Sequence, residues 1–181
     1  MLANKIWSGL CRLCSFASMI NFSTPSAFLE KINQWFNGLI ALPILAVSYG
    51  YLEIHSGRFN GIVMINLYQE FVLIIPILFA AVVYTRRYRK QVGRIFLDKP
   101  LNERVKEYFR FSKSYYLIMF LLGMLTTICI FVFGSTSFAG LYAFQLFILS
   151  IHRPTLLSVA NKLNLKGDIR SDFLKKNIFT N

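Results

Sequence analysis

Four apolar runs, at 35–54, 62–84, 115–134 and 138–152, hold most of the chain's hydrophobic residues and carry few charges. A water-soluble domain spreads its apolar residues at helical or strand period, whereas unbroken runs of this length mark membrane spans. With 55% hydrophobic and only 15% charged residues among 181, the composition agrees with a bilayer as solvent. The fourth run is short: its 15 residues make about 22 Å of helix at about 1.5 Å per residue, against a hydrocarbon core of about 30 Å. The reading adopted is a complete span that begins earlier, within 134–137.

Orientation follows from the basic residues. Segment 85–114 holds ten of the 20 (Arg86, Arg87, Arg89, Lys90, Arg94, Lys99, Arg104, Lys106, Arg110 and Lys113), while the 55–61 loop holds only Arg58 and the 135–137 turn none. Alternate loops are therefore basic and bare, as expected if both termini lie on the cytoplasmic side. The expected fold is all-α: an integral membrane four-helix antiparallel bundle with a protruding basic helical hairpin and an amphipathic C-terminal helix. Its regions are a leader at 1–34, the membrane domain at 35–152 with hairpin 85–114, and a tail at 153–181. The net charge of +12 flanks the spans, so it points to anionic lipid headgroups rather than nucleic acid. A bacterial inner membrane fits this pattern. A mitochondrial inner membrane stays open because residues 1–29 lack acids and are rich in serine, a weak transit-peptide signature.

Local signals sharpen the element boundaries. Thr24-Pro25 reads as an N-cap and first helical residue, and Phe28, Ile32, Trp35, Phe36 and Leu39 keep one face apolar into the first span. Pro100 opens the third helix after the break at 97–100. In the tail, Leu156, Leu157, Ala160 and Leu163 share a face suited to a membrane surface or a partner. A helix-turn-helix is disfavoured there, since Asn164 stands where a turn glycine is usual. Small residues suggest close approach of the first two helices at Ala46 and Gly50, and of the other pair at Gly123 and Gly140.

Chemistry is sparse. Cys11 and Cys14 form a lone CxxC on the cytoplasmic side with no outer pair, which excludes dithiol-to-quinone chemistry, and too few ligands accompany them for zinc. His55 and His152 fall at opposite interfaces, so one haem iron cannot use both. No catalytic motif, metal site or cofactor is expected. One ionisable residue interrupts the second run: Glu70, about 12 Å along a helix counted from Ile62. At similar depth lie Tyr49, Thr126 and Gln145, with Asn66 one helical turn outward of Glu70 on the same face, which suggests a polar layer acting as interhelical glue or as a proton- or cation-responsive site. Pro43 and Pro76 bend their spans, which transporters exploit and ordinary bundles tolerate. The leading expectation is a non-catalytic accessory, assembly or scaffold subunit with a protein partner or a second copy in the membrane. The alternative is an oligomeric small transporter or channel subunit centred on Glu70.

Overall fold

A computed structural model describes residues 24–94 and 100–176. The CxxC and the leader before Thr24 lie outside the described residues, as do 95–99 and the last five positions. Among the described residues there are six α-helices: α1 Pro25–His55, α2 Leu67–Val92, α3 Leu101–Phe133, α4 Ser137–Ile151, α5 Leu156–Lys162 and α6 Gly167–Ser171, followed by a π-helical turn, Asp172–Lys176. Three of them are long and apolar enough to cross a membrane, and four spans result if α4 and α5 count as one bent span. The chain is thus an all-α, small helical integral membrane protein.

Two compact units divide the chain. The first, 33–89 with 115–153, contains all four apolar runs and is called the span unit below. Its core is Val47, Ile77, Cys129, Ile130, Phe138, Leu141 and Tyr142. Gly50 lies in α1 against Ile130 and Phe131 of α3, where an added Cβ would meet Ile130 at 2.9 Å. Gly123 of α3 is where Tyr142 of α4 and Pro43 of α1 approach, at 3.1 and 3.5 Å from such a Cβ. These contacts correct the sequence reading: Gly50 serves α1 and α3 rather than α1 and α2, and Gly140 has nothing within 4 Å of an added Cβ.

The second run does not begin its helix at Ile62. The amides of Ile62 and Val63 both donate to the Val132 carbonyl at the end of α3, at 2.8 and 2.9 Å. Those residues therefore satisfy an orphan helix-end acceptor instead of starting a helix. The helix opens one turn later on a capping box, Asn66-Leu67-Tyr68-Gln69, in which the Asn66 amide donates to Gln69 Oε1 at 3.0 Å. The fourth helix likewise does not start early. Gly134 is left-handed at φ +60° and ends α3, and α4 begins only at Ser137, so it remains 15 residues long.

The second unit contains the described residues 24–32, 90–94, 100–114 and 154–176. Thr24 caps α1 as expected, its Oγ1 accepting from the Ala27 amide at 3.3 Å, and Pro100 accepts the first amides of α3. Phe28 is fully buried and meets Tyr108 and Phe109 edge-on at 6.2 Å each. Inside this unit part of the tail's apolar face, expected on a membrane surface or a partner, packs within the chain. Val159, Ala160, Leu163, Leu165 and Phe173 are buried, Leu157 is 54% exposed, and Lys162 Nζ sits 5.7 Å above the Tyr108 ring. The turn after α5 is made by Asn164 itself at φ +52°, with the Leu165 amide donating back to the Ala160 carbonyl at 3.0 Å. Asparagine does here what glycine usually does, because its short polar side chain tolerates the left-handed region.

Gly61 and Gly134 cross backbone to backbone. A Cβ on Gly61 would lie 2.5 Å from the Phe133 carbonyl carbon, and one on Gly134 2.6 Å from that of Asn60, with both glycines at positive φ. Alanine at either position should cost at least about 2 kcal/mol, combining left-handed strain with backbone overlap. Gly140→Ala, in open space within a helix, should be neutral or stabilise by up to about 1 kcal/mol. Thermal unfolding of the three variants in detergent checks this ordering.

Candidate functional site

Polar groups inside a bilayer protein must find partners within the chain, because hydrocarbon offers none. In the span unit they gather in two places. The first joins α3 and α4. Thr126 Oγ1 donates to the Leu122 carbonyl at 2.9 Å, which leaves its oxygen to accept from Gln145 Nε2 at 3.1 Å. Both residues are essentially fully buried, and the second amide atom, Gln145 Oε1, has no hydrogen-bond partner. Gln145 also lines a cavity of about 10 Å³ with Leu39, Pro43, Tyr116 and Tyr142, room for about one water. Pro43 contributes to this polarity, since it has no amide to offer the Leu39 carbonyl one turn earlier. Thr127 is a simpler case, donating to the Gly123 carbonyl of its own helix at 2.9 Å.

The remaining members of the expected polar layer lie elsewhere. Tyr49 is 59% exposed, beside the Phe131 ring at 6.4 Å. Asn66 is exposed as the N-cap of α2. Glu70 is half-buried in the first turn of α2, about 4.5 Å along the helix at about 1.5 Å per residue, not the 12 Å that a start at Ile62 would give. A carboxylate at that position faces the positive end of the helix dipole, which supplies a local reason for an acid there.

The second gathering is at the C-terminal ends of α2 and α4, beside Tyr115 and Tyr116 of α3. His152, 4% exposed, places Nδ1 2.9 Å from the Ile148 carbonyl and Nε2 3.1 Å from Arg89 Nε. A carbonyl only accepts, so Nδ1 carries the hydrogen; Nε2 is then the lone-pair nitrogen and receives the Arg89 Nε–H. Tyr116 donates its hydroxyl to the His152 carbonyl at 3.1 Å, and the Tyr88 and Tyr115 rings stack at 4.4 Å. Thr85 Oγ1 donates to the Ala81 carbonyl at 2.8 Å and lies 3.3 Å from the Tyr115 hydroxyl. His55, in contrast, is exposed and stacks on Tyr51 at 5.9 Å.

Of the basic patch expected from sequence, Arg86, Arg87, Arg89, Lys90 and Arg94 are all exposed. The sequence reading did not anticipate that Arg89 is fastened to His152, nor the aromatic set of Tyr88, Tyr115 and Tyr116. The available signal was positional: tyrosines and a histidine bunched where apolar runs meet basic segments. Among the described residues, no group of three or more His, Cys, Asp or Glu side chains could hold a metal ion. Comparison of the chain with protein-family models, with curated proteins and with solved structures gives no match.

The Thr126–Gln145 bond predicts an asymmetry. Thr126→Val leaves Gln145 with both amide atoms unpaired and should destabilise by about 1–2 kcal/mol. Gln145→Leu removes the orphan acceptor together with the donor and leaves the Thr126 hydroxyl on its own helix, so it should be near neutral or stabilising. Equilibrium unfolding in mixed micelles measures both.

Proposed function

We propose that this integral membrane protein is a non-catalytic accessory, assembly or scaffold subunit. In this reading four antiparallel spans place both termini and the basic 85–114 segment on the cytoplasmic side, in contact with anionic headgroups. The observation that carries it is the bareness of α2. Only 11% of its apolar window is buried within the chain, against 39% for α3. Phe71, Val72, Ile75, Phe79 and Val83, all 42% exposed or more, form one stripe along it. Beside the stripe, a groove of about 310 Å³ runs between Leu73, Pro76, Ile77 and Ala80 of α2 and Leu122, Leu125 and Cys129 of α3. Small side chains such as Ala80 and Cys129 let a foreign helix come close, which is how helices associate where hydrophobic driving force is absent. The occupant proposed is a transmembrane helix of a partner protein.

The transport alternative draws on Glu70 and on the cavity at Gln145. It takes less support, because Glu70 lies near a helix end and the cavity has room for about one water.

Purification in mild detergent should recover a stable heteromeric partner, and Ala80→Trp, which fills the groove, should lower its yield about tenfold, the equivalent of about 1.4 kcal/mol. A monomer without crosslinked neighbours in native membrane would count against the reading. For the alternative, the corresponding check is Glu70→Gln in reconstituted vesicles: ion or solute flux indifferent to this change and to pH removes Glu70 as its centre.

A further inference from the structure

We infer that Arg89, held by His152, forms with Arg86 and Arg153 a binding site for the phosphate of an anionic phospholipid. This rests on the headgroup contact proposed above and names the residues and the group they take. A guanidinium has one Nε–H and two terminal nitrogens. Arg89 commits Nε–H to the buried His152 ring, so the plane of the guanidinium is set and the terminal nitrogens of this exposed side chain point away from that bond. A fixed fork binds a phosphate oxygen pair with less loss of freedom than a mobile one. His152 is itself immobilised through Nδ1 to the Ile148 carbonyl and through its own carbonyl to the Tyr116 hydroxyl.

The surroundings suit an anion. Arg86 precedes Arg89 by three residues, hence on the same side of α2, and Arg153 follows His152 directly; both are exposed. No acidic residue occurs in 71–97 or 108–167. The tyrosines packed here, Tyr88, Tyr115 and Tyr116, are residues of the membrane–water boundary, which places the arginines at headgroup depth. His152 is the positioning residue, acting through the Nε2 that accepts the Arg89 Nε–H. Arg89 and Tyr88 from α2, Tyr115 from α3 and the Ile148 carbonyl of α4 pack around its ring, and Tyr116 bonds its carbonyl.

The test uses the full chain, delipidated and titrated with phosphatidylglycerol or phosphatidylcholine, with retained lipid counted by native mass spectrometry. Expected are a preference for phosphatidylglycerol at pH 8, a loss of about tenfold or more in Arg89→Ala, and an intermediate loss in Arg89→Lys, which keeps the charge without the fork. His152→Gln, which retains an acceptor, should hold lipid better than His152→Leu. Circular dichroism shows whether each variant is folded, and Arg89→Lys carries the comparison if Arg89→Ala is not. Arg89→Ala and Arg89→Lys binding like wild type, with Lys90→Ala or Arg94→Ala weakened instead, overturns this site and leaves the broader headgroup contact standing. No preference between the two lipids overturns both. Displacement of the lipid by millimolar glycerol phosphate assigns the site to a soluble anion and overturns the lipid.

Discussion

The span unit depends on the place where residues 60–63 cross the end of α3. Two backbones meet there with no side chain between them, which only glycine permits, and the Val132 carbonyl takes both the Ile62 and the Val63 amides. In hydrocarbon an unpaired carbonyl costs several times what it costs in water, so this bifurcated contact ties the chain between α1 and α2 to α3. The start of α2 follows from it. Residues that look like the first turn of a span are used as a cap, and the helix is deferred to the Asn66–Gln69 box.

That deferral changes the meaning of Glu70. Counted from Ile62 it is a buried acid in need of a partner; counted from Leu67 it is an acid in the first turn, where the helix dipole favours it. The same logic separates the polar residues that do meet. Thr126 and Gln145 bond because their helices pack face to face through Gly123, whereas Tyr49 turns outward beside Phe131. A shared depth along different spans places residues in one layer, but only the rotation of each helix decides which of them touch.

Polar material is concentrated instead at His152, where an arginine, a histidine and three tyrosines satisfy one another at the ends of α2 and α4. The Arg89–His152 and Tyr116–His152 bonds cross between helices and the His152–Ile148 bond closes a helix end, so the cluster serves packing whatever else it binds. Its exposed component is the guanidinium of Arg89, and its buried component is the ring that holds it.

The amino-acid sequence by itself determined the helical class, the apolar spans, the caps at Thr24-Pro25 and Pro100, and the basic surface, because each depends on composition or on neighbours within a turn or two. The Asn66–Gln69 box was equally local and legible, but the apolar residues before it masked it. Tertiary structure alone decided the shortness of α4, the pairing of Gly61 with Gly134, the inward use of the tail's apolar face and the grip of His152 on Arg89. Each of these joins residues far apart in the chain, where a hydrogen bond or a close backbone crossing outweighs local preference. No pattern along one strand of sequence encodes which distant group will supply the partner.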